Sequence, residues 1–331
     1  MADPRHVIIA DFINDDLEPE RRILDGCADV VALDAFSEDD LIGRIEHADA
    51  VMLYHNLAMT RKSIERLEQC KLIIRCGVGI DNVDGEFARS RGIDVSNIPD
   101  YGTEEVADSA IGMMLAMTRG FGFLNSRLRA GEGDWMYSQV APLHRLRGRV
   151  FAIIGLGRIG TAAAIRAKAI GMDVMFFDPY KPDGYGKSLG IRRAGSLDEL
   201  LECAFVLSVH CPLTGETRGM INAATISQMS PGSYLVNTAR GAIVDTSAIP
   251  DAIADGRLAG AAIDVLENEP PGDDDSLVVT WRDPDHPAHH RVIINPHSAF
   301  YCEEGLMEIR TKAATACRCA IEGQPVRNIV N

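Results

Sequence analysis

No stretch of this 331-residue sequence reaches the roughly 18 uninterrupted apolar residues of a membrane span, which argues against a membrane anchor. The opening Met1-Ala2-Asp3-Pro4-Arg5 runs into a strand-like Val7-Ile8-Ile9 without a signal-peptide pattern, so a cytoplasmic protein is expected. The eight cysteines include no CxxC pair, and Cys317 and Cys319 lie two apart in a helical stretch, on different faces. Reduced, structural thiols fit that usage. Positive charge is scarce: 33 Lys and Arg stand against 48 Asp and Glu, a net charge of -15. Such a balance repels phosphate backbones and anionic lipid, so neither nucleic acid nor membrane is expected as a direct partner. A small anionic substrate stays possible, because one arginine can dominate the field inside a cleft. Glycine- or serine-rich linkers are lacking too. The only long irregular stretch is Asn268–Arg291, with Pro270-Pro271-Gly272, the acidic run Asp273-Asp274-Asp275 and His286-Pro287-Ala288-His289-His290. Its histidines have no ligand spacing on a regular element, so a solvated loop and no metal site are expected.

What remains is an ordinary globular composition, 46% hydrophobic and 24% charged, long enough for two domains at roughly 150 residues each. Short β-branched runs alternate with helical patterns throughout, the signature of parallel βαβ units. Strands are expected at Val7–Phe12, Val30–Asp34, Ala50–His55, Leu72–Cys76 and Asp94–Asn97, with helices such as Arg61–Gln69 and Val83–Arg91 between them. A second series runs through Val150–Ile154, Asp173–Phe177, Phe205–His210, Tyr234–Thr238, Gly260–Val265 and Val292–Asn295, six strands as in a dinucleotide-binding sheet. Ser196 with Glu199 starts a helix as a capping box. Between the series, Thr103–Thr118 is a helix whose Ala110–Met117 part is apolar on every face, so it must be buried all round. A domain core would bury it, and so would a junction with a second subunit. The last helix is expected at Glu303–Glu322, packing back on the first domain.

Gly155-Leu156-Gly157-Arg158-Ile159-Gly160 is the strongest motif. A lone GxGxxG is weak evidence, but here an apolar strand precedes it, an alanine-rich helix at Thr161–Ala169 follows, and Asp178 ends the next strand. Gly155 suits the tight turn, Gly157 the approach of a pyrophosphate, and Gly160 the close packing of helix on strand. The helix start offers free N–H groups to phosphate. Asp178 suits ribose hydroxyls and repels a 2′-phosphate, which favours NAD over NADP.

Hydride transfer from a hydroxy acid needs a group to hold a carboxylate, a base for the hydroxyl proton, and a partner for that base. Arginine, histidine and a carboxylate suit these tasks by fork geometry, near-neutral titration and hydrogen bonding. Arg240, Glu269 and His297 each follow a strand of the second series, and ligands in open α/β sheets bind at carboxyl strand ends. That spacing is not diagnostic, and each residue taken singly reads more readily as a surface or structural one.

At these residues the chain resembles the D-isomer-specific 2-hydroxyacid dehydrogenases. The matches are Gly155–Gly160, Val236-Asn237-Thr238-Ala239-Arg240-Gly241, Asp264-Val265 with Glu269-Pro270, Pro296-His297, and Arg75-Cys76-Gly77-Val78-Gly79 with Asp81-Asn82-Val83-Asp84. Within that family it is most similar to the C-terminal binding proteins, dehydrogenase-like co-repressors, at Tyr54-His55, Arg75, Glu104-Glu105, Ala107-Asp108-Ser109, Asp178-Pro179-Tyr180 and His297-Ser298-Ala299-Phe300-Tyr301. The resemblance implies two Rossmann-like or flavodoxin-like parallel-sheet domains with a cleft between them. Residues 1–100 with 300–331 would form the substrate domain and 101–299 the NAD-binding domain, in a homodimer joined through the latter. It assigns substrate orientation to Arg240, proton exchange to His297 and support of that histidine to Glu269. Arg75 and the backbone of Val78 and Gly79 would meet the substrate carboxylate, with Tyr54 and Phe300 shaping an apolar pocket. Arg158 and Ile159 of the turn, with His210, Cys211, Pro212, Thr217, Thr238, Ala239 and Asp264, would line the cofactor. The expected activity is an NAD-dependent 2-hydroxyacid dehydrogenase, and the alternative is an NAD(H)-sensing dimeric binding protein. Phe300 replaces the co-repressors' tryptophan and Val78 their serine, while Pro212–Arg218 reads like the ordinary dehydrogenases.

Overall fold

The computed structural model describes residues 5–331, so the reading of residues 1–4 lies outside the described residues. The chain divides into two compact units, Met1–Gly102 with Cys302–Asn331, and Thr103–Tyr301.

The first unit is built on a sheet of β1 (His6–Ile9), β2 (Asp29–Ala32), β3 (Ala50–Leu53), β4 (Leu72–Arg75) and β5 (Asp94–Asn97), in the order β2-β1-β3-β4-β5. Its registered pairs are all parallel, and β3 and β4 are buried on both faces, which explains their unbroken apolar runs. Helices α1 (Glu18–Leu24), α2 (Arg61–Ile64) and α3 (Gly85–Ser90) connect the strands. Asp84 caps α3 by accepting from Phe87 N–H at 3.0 Å. The chain's last residues return to this unit: Ser96 bridges Ile329 antiparallel, and Val330 N–H donates to Val95 O at 2.9 Å. The exposed edge of β5 is thereby covered.

The second unit opens with α4 (Thr103–Thr118) and α5 (Phe121–Ala130), then winds a seven-stranded parallel sheet. Its strands are β6 (Val150–Ile154), β7 (Asp173–Phe177), β8 (Arg192–Arg193), β9 (Val206–Val209), β10 (Ser233–Asn237), β11 (Leu258–Ile263) and β12 (Val292–Ile294). The order β12-β11-β10-β9-β6-β7-β8 reverses direction between β6 and β9, the switch point of a doubly wound sheet. Its helices are α6 (Arg158–Ala169), α7 (Tyr185–Leu189), α8 (Leu197–Cys203), α9 (Ala223–Gln228), α10 (Ile249–Ala254) and α11 (Ser276–Arg282). α12 (Glu303–Glu322) belongs to the first unit. Ile309, Ala313, Ala314, Cys317 and Ile321 form its buried stripe at helical spacing.

Three expectations need correction. The two-residue β8 is too short and polar to leave a pattern. Asn268–Arg291 is not wholly irregular: Asp275 accepts from Val278 N–H at 3.0 Å and starts α11, whose β-branched Val278-Val279-Thr280 read poorly as helix. His289 and His290 also turn inward, to Trp281 O at 2.7 Å and Ser126 Oγ at 2.9 Å. Finally, the chain by itself does not bury α4 all round, which leaves a second subunit as the other cover expected for it. Val106, Ala107, Ala110, Ile111, Met113 and Met114 enter the core, Gly112 is exposed, and Leu115, Ala116 and Met117 are half-buried. No described helix is long and apolar enough to cross a membrane.

Candidate active site

The glycine turn lies at the switch point of the second sheet. Gly155 has φ 87°, and a Cβ on it would lie 2.7 Å from Cys211 N, at the end of β9. Only glycine allows that approach. A Cβ on Gly160 would come 2.1 Å from Gly155 O, so α6 sits against the turn because that side chain is missing. Gly157 caps α6 and has open space where a Cβ would be, while Arg158 is exposed and Ile159 half-buried in the first turn. The first N–H groups of α6 have no partner within the helix.

Asp178 follows β7 and is 9% exposed. It accepts from Leu156 N–H and from Tyr180 N–H, each at 2.9 Å, so the carboxylate is tied to the glycine turn itself. His210, after β9, bonds Ser208 Oγ through Nε2 at 2.8 Å, and burial pushes its pKa down to about 4. Its Nδ1 and the hydroxyls of Thr161 and Thr238 are buried without a partner. Each orphan of this kind costs about 1–3 kcal/mol, so these atoms favour a polar ligand. They belong to α6 and the carboxyl ends of β9 and β10, the edge that carries the glycine turn, and the donor set fits a dinucleotide. Thr217 Oγ1 donates to Pro212 O at 2.7 Å and closes the loop after Cys211.

Arg240, Glu269 and His297 stand after β10, β11 and β12, three neighbouring strands. His297 Nδ1 is 2.7 Å from Glu269 Oε2. The other carboxylate oxygen of Glu269 accepts from Leu266 N–H at 2.8 Å, which fixes the side chain from its own turn. Arg240 donates to Ala239 O at 2.8 Å and is half-buried. A Cβ on Gly241 would fall 1.9 Å from Leu266 C, so Gly241 lets the Arg240 turn lie against the segment leading to Glu269.

Asp264, expected to line the cofactor, is seen here holding the backbone of residues 297–299. Its buried carboxylate accepts from Ser298 N–H at 3.0 Å and Ala299 N–H at 3.1 Å, and its carbonyl accepts from His297 N–H at 2.7 Å. Burial raises its pKa, while the Ala299 and Ser298 amides and then His297 act in the opposite sense. The result is a turn holding His297 at φ 51°. Phe300 meets the His297 ring edge-on at 6.1 Å. Asn237, to which the sequence assigns no role, accepts from Ala239 N–H and donates to Arg240 O, at 3.0 and 2.9 Å. A short polar residue closing a strand is the signal for such a turn.

In the first unit, Arg75 ends β4 and is 5% exposed, folded back over Gly77 with Nη1 3.2 Å from Cys76 O. Val78 is exposed and Gly79 half-buried, and Asn97 Nδ2 holds Val78 O at 2.7 Å. Tyr54 departs from expectation. Its ring is 1% exposed and burial pushes its phenol pKa well up, so it supports its loop from within the core rather than lining a pocket.

Comparison with known proteins agrees with this geometry. Residues 111–299, more than half of the chain, match the family model described as D-isomer specific 2-hydroxyacid dehydrogenase, NAD binding domain. The D-3-phosphoglycerate dehydrogenase of Methanocaldococcus jannaschii is 33% identical over 98% of this chain and 59% of its own length. C-terminal-binding protein 1 of Caenorhabditis elegans is 32% identical over 93% of this chain and 42% of its own. The chain thus spans about half the length of these curated relatives. Among solved structures, a D-lactate dehydrogenase from Aquifex aeolicus in complex with NAD and lactic acid superposes with a TM-score of 0.83 at 27% identity, covering 96% of each chain. The strand order, the glycine turn at its switch point and the match over residues 111–299 make this chain a member of the D-isomer specific 2-hydroxyacid dehydrogenase family, whose cofactor is NAD.

Proposed function

We propose that the chain is an NAD-dependent oxidoreductase that passes a hydride between NAD(H) and a small 2-hydroxy/2-oxo acid, working mainly as a 2-oxo acid reductase. The observation that carries this reading is the 2.7 Å contact of His297 with Glu269, on the sheet edge that bears the glycine turn. Eight free cysteines suit a reducing cytoplasm.

Bound NADH supplies the hydride. The rest is work for this chain's side chains. A carboxylate only accepts, so Glu269 favours hydrogen on Nδ1 of His297 and leaves Nε2 as the exchanging atom. During reduction Nε2 gives its proton to the substrate oxygen, and it takes one from the hydroxyl in the reverse direction. Arg240 orients the substrate, and Arg75 with the Val78 and Gly79 amides receives its carboxylate. Phe300 borders the substrate side chain. The turn glycines with Arg158 and Ile159 hold the pyrophosphate, and Asp178 holds the adenosine ribose. His210, Cys211, Pro212, Thr217, Thr238, Ala239 and Asp264 line the remaining cofactor path. Residues 1–100 with 300–331 act as the substrate domain and 101–299 as the NAD-binding domain. His297→Ala is expected to keep NADH affinity while lowering 2-oxo acid turnover about 10²-fold or more. Wild-type turnover in that variant would defeat the assignment.

The active form in this reading is a homodimer joined through the second unit. α5 has ten residues and none of them is buried, and Trp135 and Tyr137 beyond it are 86% and 80% exposed. A second copy of the chain would cover these exposed aromatics across a two-fold interface. Within the family we place the chain with the branch of the C-terminal binding proteins, on Tyr54-His55, Asp178-Pro179-Tyr180 and the nematode relative.

A further inference from the structure

Asp11, Asn82 and His55 of the first unit cluster around one turn and have no part in the roles above. Asp11 lies two residues past β1 and is 0% exposed. Its Oδ1 accepts from Tyr54 N–H and its Oδ2 from Asn56 N–H, each at 2.7 Å. The same turn is held on its carbonyl side, where Asn82 Nδ2 donates to Tyr54 O and Leu57 O, each at 2.9 Å. Two amides are thus gripped by a carboxylate and two carbonyls by a carboxamide. His55 sits inside the grip, its ring 4.8 Å from that of Phe12. Phe12, next to Asp11, has φ 70° and stacks on Tyr54 at 5.3 Å.

The grip also adjoins Arg75. Leu53, just before the turn, registers with Arg75 across β3 and β4. The Asp11 carboxyl is raised by burial, and the Tyr54 and Asn56 amides and the Arg75 guanidinium oppose that rise. A buried carboxylate is tolerated only where such donors and a cation face it.

We propose that Asp11 and Asn82 are positioning residues for substrate binding, fixing the 54–57 turn that follows Leu53, the residue in register with the Arg75 carboxylate receptor. This inference rests on the 2-oxo acid reading of the site. Asp11 is favoured over any neutral residue by its geometry. An asparagine there would keep one acceptor and turn an NH₂ group toward the second amide N–H, so half of the grip would become a donor facing a donor.

The test uses full-length Asp11→Asn and Asn82→Ala, each checked for wild-type circular dichroism. NADH affinity, KM and kcat for a 2-oxo acid, and binding of oxamate (an unreactive 2-oxo acid analogue) to the NADH-loaded protein are then measured. Each variant should raise KM and weaken oxamate binding about tenfold or more, with kcat within about threefold and NADH affinity unchanged. A fold defect alone would lower the melting temperature and leave KM where it was, and that result overturns the inference. If Asp11→Asn does not fold, Asn82→Ala decides by the same criteria, since it alters no charge. Wild-type protein that neither reduces any 2-oxo acid nor binds oxamate would instead refute the proposed function. Wild-type binding matched by both variants refutes only the positioning role.

Discussion

At the scale of single residues, the site depends on side chains that orient other groups. His297 has its Nδ1 against Glu269 and its backbone N–H held by the Asp264 carbonyl. His210 makes a quantitative expectation possible. Its folded pKa is depressed to about 4 from the ordinary 6.5, so its contribution to stability is present above 6.5 and is lost as pH falls toward 4. By linkage the loss is at most about 3 kcal/mol. Thermal melting points followed from pH 7 to pH 4 should therefore fall less steeply in His210→Gln than in wild type, and parallel curves would contradict the assignment. The glycine motif is legible in sequence because each glycine answers a local steric demand, such as the positive φ of Gly155. Asp11, Asn237 and the second task of Asp264 are not legible that way. Their meaning depends on which amides converge on them after folding, and an aspartate after a strand looks the same whether it faces solvent or two N–H groups.

At the scale of elements, the first unit is closed by α12 lying on α1. Arg310, at 5% exposure, donates to both oxygens of fully buried Glu20 at 2.6 and 2.7 Å and to both of Asp15 at 2.6 and 2.8 Å. The partner of a broken buried pair is left charged and dry, which costs about 3–5 kcal/mol, whereas exchanging both members for apolar groups is often neutral. Arg310→Met should therefore lower stability by about that amount, and Arg310→Met with Glu20→Leu should recover most of it. Chemical denaturation of the two variants checks this, and a single variant as stable as wild type would show the clamp to be idle. Buried parallel strands were easy to read because β-branched runs stay unbroken when both faces are covered. α11 was not, since its Val-Val-Thr core has strand-like propensity and only the cap at Asp275 and tertiary packing make it a helix.

At the scale of the whole molecule, the second unit carries two separate edges. The carboxyl ends of its strands hold the glycine turn and His297. The amino ends of β10, β11 and β12 border a groove of about 630 Å³ shared with α4, α5 and the 140–144 segment, lined among others by Met117, Phe123, Val140, Tyr234 and Trp281. If the proposed homodimer forms through the second unit, the exposed Trp135 and Tyr137 are the residues on which to test it. Replacing both aromatics with aspartate should convert a dimer to monomers in sedimentation equilibrium. A wild-type monomer, or a variant that stays dimeric, would exclude this face. Sequence periodicity missed this level because it treats an exposed tryptophan and a core one alike.

The first unit is discontinuous in the chain, and this sets an order of events during synthesis. β1 to β5 leave the ribosome early, but α12, which supplies Arg310 and one wall of their core, follows only after the intervening Thr103–Tyr301 unit of about 200 residues. At about 5–20 residues per second that delay is roughly ten to forty seconds. Throughout it the apolar faces of β3 and β4 await their cover while the inserted unit can already close on itself. For that interval the nascent amino-terminal segment carries apolar surface that the folded protein covers with α12, the kind of surface that makes incomplete chains prone to aggregate.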